Sequence, residues 1–80
     1  MQHFIYIVEC ADKTLYTGYT TDLKRRIDEH NYSLKGAKYT KGRRPIKLQY
    51  SECFEKKGDA LRRECEIKRL SREKKLILIG

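Results

Sequence analysis

The run Phe4-Ile5-Tyr6-Ile7-Val8 is aromatic or β-branched at every position, and no other stretch restricts the folding of the chain more. Such side chains suit a pleated strand and lose rotamer freedom in a helix. The run extends to Glu9, and a second strand-like stretch, Leu15 to Thr20, follows a turn at Ala11-Asp12-Lys13. Strands this close in sequence pair as a hairpin. Thr21 or Asp22 then offers a side-chain oxygen to the first N–H groups of a helix that runs to about Asn31. A loop from about 32 to 45 ends at Pro45, the single proline. Ile46 to Phe54 reads as a third strand, and Lys57 to Leu70 as a second helix that starts near Gly58-Asp59. Ser71 caps a short third helix whose Leu76, Ile77 and Ile79 dock on the body. The predicted order, β-β-α-β-α-α, is an α+β fold: a three-stranded β-sheet flanked by helices. The order of strands across the sheet stays open.

With 80 residues the chain has room for one domain, 1–80, and a modest core. Cys10, Cys53 and Cys65 are odd in number and widely spaced, and with no C-x-x-C they read as reduced, partly buried thiols of a cytoplasmic protein. The N-terminus enters a strand without the basic and long apolar segments of a leader. No apolar run, Leu76 to Ile79 included, is long enough for a bilayer, so no membrane association is expected. Nineteen basic and eleven acidic residues give a net charge of +8, and the excess is uneven. Lys35, Lys38, Lys41, Arg43, Arg44 and Lys47 follow one another with no acidic residue between, and Tyr39 sits among them. A basic, glycine-containing loop with an aromatic suits a phosphate backbone, although such loops also occur where no polyanion binds.

At about 100° per residue, Leu23 and Ile27 form an apolar seam on the first helix, with Arg26 and His30 at its edge. On the second helix Leu61 and Cys65 form the seam and Glu64 and Lys68 flank it, while Arg62, Arg63, Glu66 and Arg69 face away. Taken as structure alone, Glu64 and Lys68 are an i,i+4 surface pair. His30 is then a cation at a helix C-terminus, and Tyr6 and Tyr16 are strand residues with wet hydroxyls.

Taken together, these positions resemble a known pattern. Phe4-Ile5-Tyr6 and Tyr16-Thr17-Gly18 stand about ten residues apart, followed in order by Arg26, His30 and Glu64. This arrangement resembles the GIY-YIG nucleases, and the stretches Leu15 to Asn31 and Gly36 to Pro45 are similar to small stand-alone bacterial members. It is also similar to the nuclease domains of structure-specific junction endonucleases. Phe4 stands in place of the first glycine of the triplet, and Tyr19 stands where some relatives carry a lysine.

The resemblance implies a catalytic set of Tyr6, Tyr16, Arg26, His30 and Glu64. Glu64 would be the ligand of a single divalent metal, Mg²⁺ or Mn²⁺. Arg26 would hold the phosphate, and Tyr6 or Tyr16 would orient or deprotonate the attacking water. Arg26 and the metal are expected to pull the phenol below its usual pKa of about 10. His30 would relay that proton or hold Tyr6 in place, and Gly18 would let the backbone approach the substrate. Lys38, Lys41, Arg43 and Arg44 would contact flanking phosphates, and Tyr39 would stack on an unpaired base. The expected partner is nucleic acid, most readily DNA, with a protein partner possible for targeting. The function implied is metal-dependent endonuclease cleavage of DNA, with a link to DNA repair or recombination. A non-catalytic nucleic-acid-binding or accessory module on the same fold is the alternative.

Overall fold

The computed structural model describes residues 1–33 and 35–80. Strands β1 (His3–Glu9) and β2 (Leu15–Thr20) form the hairpin, followed by helix α1 (Leu23–Tyr32). A single helical turn, α2 (Lys38–Lys41), precedes β3 (Lys47–Phe54), and α3 (Lys57–Lys68) and α4 (Arg72–Ile79) complete the chain. The architecture is the expected α+β order with one addition. The segment expected to be a loop from 32 to 45 carries α2, while its position 34 lies outside the described residues.

The sheet is antiparallel throughout, in the order β2-β1-β3. Tyr6 stands opposite Gly18 on one side and Ser51 on the other. Between β1 and β3 the register shifts at Ile7/Val8, where Ile7 meets Tyr50 and Val8 meets Leu48. Gln49 is thereby left without a partner on β1, as at a β-bulge.

As the central strand, β1 is buried on both faces. Ile5 and Ile7 pack with Ala60 and Ile67 of α3, and with Leu78 and Ile79 of α4. Tyr6 and Val8 pack on the other face with Cys10 and Ile46, against Leu23 and Ile27 of α1. This explains why the first strand reads as an unbroken apolar run rather than an alternation.

The Asp22 side chain caps α1 by accepting from the Arg25 N–H at 3.1 Å, and Ser71 caps α4 by accepting from the Lys74 N–H at 3.2 Å. Three expectations need correction. The buried seam of α3 is Ala60 and Ile67, whereas Leu61 is 40% exposed and Cys65 is also exposed. Ala60 is a small residue that lets the helix approach the sheet closely, which a wheel weighted by bulk overlooks. On α4 it is Leu78 and Ile79 that pack, while Leu76 and Ile77 are exposed. Among the thiols only Cys10 is buried, and Cys53 and Cys65 are exposed. Among the described residues, no helix is long and apolar enough to cross a membrane.

The rephased seam makes a direct prediction. Ile67→Ala should destabilise the protein by about 2–5 kcal/mol in urea denaturation. Leu61→Ala, removing a partly exposed side chain, should cost under about 1 kcal/mol. Equal losses would place the seam where the helical wheel first put it.

Candidate active site

Tyr6 points from the middle of β1 toward α1, is 1% exposed, and therefore needs a partner for its hydroxyl. His30 provides it: the phenolic oxygen lies 2.8 Å from His30 Nε2. His30 is the one fully buried residue of α1, so it belongs to the seam itself and not to its edge. Its other ring nitrogen, Nδ1, lies 2.8 Å from Thr40 Oγ1 on α2. The Tyr16 ring meets the same imidazole in a T-shaped contact, with centroids 5.6 Å apart. Tyr6, Tyr16 and His30, far apart in sequence, thus form one cluster.

The phenol fits because its cross-strand neighbour is a glycine. A Cβ on Gly18 would lie 2.3 Å from the Tyr6 hydroxyl and 2.5 Å from its Cζ. Gly18 was expected to admit a substrate, but the space above it is filled by Tyr6. Gly36 has a similar role beside α1, where a Cβ would come within 2.8 Å of the Glu29 carbonyl oxygen and 3.0 Å of His30 Cα. That close approach brings the turn carrying Thr40 against His30.

Arg26 Nη1 donates to Glu29 Oε1 and to the Lys35 carbonyl, each at 3.0 Å. Its Nε and Nη2 donors take no part in those bonds, and its guanidinium is felt at Tyr6. Glu64 comes from α3, which covers the opposite face, and its charge also reaches Tyr6. The Glu64 side chain is 18% exposed, and Oε2 lies 3.3 Å from Lys68 Nζ.

Burial raises the pKa of the Tyr6 phenol, and the opposing pull of Arg26 does not overcome it. The pull of Arg26 alone therefore does not depress the Tyr6 phenol, because desolvation of the phenolate is the larger effect. Burial, with Arg26 and Arg44 nearby, lowers His30 to about 4. His30 is consequently a neutral imidazole at neutral pH and not the helix-end cation that its position suggested.

A divalent ion would find one carboxylate here. Among the described residues, no three His, Cys, Asp or Glu side chains converge on a metal position. A single partly exposed carboxylate such as Glu64 suits Mg²⁺, which keeps most of its water ligands. Its hard oxygens fit such an ion, with Lys68 as the competing cation.

The basic segment divides into two groups. Lys38 and Lys41 are exposed. Arg43 donates from Nε to Asp12 Oδ2 at 3.0 Å and from Nη1 to the Tyr39 carbonyl at 2.7 Å. Arg44 donates to the carbonyl oxygens of His30 and Ser33, closing the C-terminal end of α1. The Tyr39 ring stacks on Tyr16 with centroids 5.7 Å apart, and the Arg43 guanidinium lies 4.1 Å from its centroid. Tyr39 is thus already a packing partner of Tyr16.

Two contributors escaped the sequence reading. Thr40 lies in the basic segment and Asn31 at the end of the expected first helix, and neither was singled out for a role. Asn31 accepts from the Ile46 N–H at 2.7 Å and donates to the Ile46 carbonyl at 3.1 Å. The only sequence signal for Thr40 was its place in the segment from Gly36 to Pro45 that resembles the stand-alone bacterial proteins.

The model of the GIY-YIG catalytic domain matches residues 2–76. The chain belongs to the GIY-YIG family. It is 59% identical over 73 residues to a UPF0213 protein of Haloquadratum walsbyi, covering 91% of this chain and 81% of that one. It is 58% identical over 79 residues to a UPF0213 protein of Staphylococcus saprophyticus, covering 99% and 95%. The solution NMR structure of a UPF0213 protein from Bacillus halodurans superposes with a TM-score of 0.64 at 53% identity, covering 99% of this chain and 83% of that chain. The family is one of nucleases that generally use divalent metals, so nucleic acid is the class of substrate that the GIY-YIG fold implies.

The buried neutral imidazole has a measurable signature. The native pKa of His30 lies below the unfolded value of 6.5, at about 4, so the unfolded chain binds the extra proton first as pH falls. Stability from this group is fully present above about pH 6.5 and is lost down to about pH 4, by roughly 3 kcal/mol in all. Urea denaturation across that range should show the loss in the native protein and a shallower one in His30→Gln. Parallel curves would mean that His30 is not held neutral.

Proposed function

We propose that this protein is a metal-dependent endonuclease that hydrolyses phosphodiester bonds in DNA. The observation that carries this reading is the convergence of Tyr6, Tyr16, His30 and Arg26 around one buried hydrogen bond, with Glu64 near enough for its charge to be felt there. Burial of the Tyr6 hydroxyl accounts for its pairing with His30; the arginine set beside that buried neutral pair is what marks the cluster as a candidate site.

In this reading Arg26 binds the scissile phosphate through the donors its structural bonds leave over, and offsets the negative charge that grows on it. The attacking water forms the new P–O bond while the bond from phosphorus to the leaving oxygen breaks, and a proton shed by the water ends on that leaving oxygen. Tyr16, the less buried phenol, meets that water from the open side. Tyr6 stays protonated behind it, as its raised pKa requires. Glu64 would hold the divalent ion, Mg²⁺ or Mn²⁺, which when bound supplies Lewis-acid stabilisation of the phosphate and leaving oxygens.

Lys38 and Lys41 contact flanking phosphates, and such contacts position DNA without reading its sequence. Arg43 and Arg44 contribute through the donors that their internal bonds leave over. No base-reading element is assigned, so the substrate in this proposal is recognised by shape, as at the branches and flaps of repair and recombination. A protein partner would add targeting.

Two experiments test the proposal. Glu64→Ala should abolish Mg²⁺- or Mn²⁺-dependent cleavage of labelled flap and branched DNA while binding persists. A variant that still cuts but binds poorly would remove the metal role from Glu64. Replacing both Lys38 and Lys41 by alanine should weaken binding and flatten the dependence of log K on log salt by about 1–2. An unaltered slope would take the segment out of the interface.

A further inference from the structure

Thr40 is completely buried, and its hydroxyl has two partners: His30 Nδ1 at 2.8 Å and the Ala37 carbonyl oxygen at 2.9 Å. A carbonyl oxygen can only accept, so the single hydroxyl proton goes to Ala37. The Thr40 oxygen must therefore accept from His30, which places the imidazole proton on Nδ1. A neutral imidazole has one N–H, so Nε2 is bare and must accept from the Tyr6 hydroxyl 2.8 Å away. The direction of every proton in the row Tyr6, His30, Thr40, Ala37 follows from the last acceptor.

We propose that Thr40 is a positioning residue for the reaction: by fixing the tautomer of His30, it keeps the Tyr6 proton turned inward. The Tyr6 oxygen then meets the site as an acceptor, able to face the Arg26 guanidinium or a water but unable to donate to either. The opposite tautomer would put an N–H on Nε2 and turn the Tyr6 proton outward toward a cation. Thr40 would then have to donate to Nδ1 and give up Ala37. Thr40 can do this because the turn bearing it is pinned by neighbours that act on the backbone. Gly36 admits the close approach to α1, and Arg44 holds the His30 carbonyl. The consequence for turnover rests on the nuclease reading above, whereas the tautomer does not.

The test combines long-range ¹H–¹⁵N NMR of the His30 ring with single-turnover cleavage of flap or branched DNA in Mn²⁺ or Mg²⁺. The native protein should show the Nδ1–H tautomer, and Thr40→Ser should preserve both the tautomer and the rate. Thr40→Val, which has nearly the same shape but no hydroxyl, should lose the single tautomer. Its cleavage rate should fall about 10- to 100-fold, as for other outer partners that orient a functional histidine, with substrate affinity unchanged. An Nε2–H tautomer in the native protein would overturn the proposal, as would Thr40→Val with native tautomer and native rate. Should Thr40→Val not fold, the native and Thr40→Ser spectra decide the point. A native protein that cuts none of the substrates yet shows the Nδ1–H form would refute the nuclease reading while upholding the tautomer assignment.

Discussion

Everything in this fold depends on β1 having no wet face. A central strand between two edge strands, with helices on both sides, must bury the side chains of its middle, here Ile5 to Val8. Ile5, Ile7 and Val8 meet that demand by being apolar. Tyr6 meets it only if its hydroxyl finds a partner, because an unsatisfied buried hydroxyl is expensive. The partner has to come from α1, and it has to be small enough and polar enough to sit in an apolar seam. His30 answers this need, and the rest of the cluster is arranged around the pair.

The same constraint explains the electrostatics. For the anion of the proposed reading, a charged histidine would be the stronger partner. Burial makes that impossible here, since the imidazolium would sit beside the guanidiniums of Arg26 and Arg44 with little solvent to screen it. The positive charge is instead delegated to arginine, which stays charged in any surroundings, and the imidazole serves as an oriented hydrogen-bonding group. Two titratable residues are thereby removed from titration near neutral pH, Tyr6 from above and His30 from below.

Much of this was legible in the residues. The strands, the caps at Asp22 and Ser71, and the element order follow from β-branched runs and side-chain oxygens at helix starts, which are local properties. The family was legible because five residue types stood in order on the right elements. Phasing of α3 was not, because a helical wheel weighs bulk and chose Leu61 over Ala60, when smallness was what allowed the helix to close on the sheet. The roles of Arg43, Arg44 and Thr40 were hidden for another reason. Each contacts backbone carbonyls or a residue ten or more positions away, and composition registers only their charge or polarity. Gly18 was misread in the same way: the space it opens is plain from the sequence, but what fills that space comes from another strand.

Apart from the His30–Thr40 pair, the contacts that fasten the segment from Gly36 to Ile46 onto α1 have a common character. Arg44 grips the carbonyls of His30 and Ser33, Asn31 clasps both backbone groups of Ile46, and Gly36 rests on the backbone at Glu29 and His30. These contacts read main-chain atoms, which are the same whatever side chains are attached. The outward residues of the segment, Lys38 and Lys41 among them, are thereby uncoupled from the inward one, Thr40. That outer surface can thus be recharged or reshaped in sequence while the geometry beneath it stays put. The fold separates the charges it displays from how its inner hydrogen bonds are set, within a stretch scarcely longer than three helical turns.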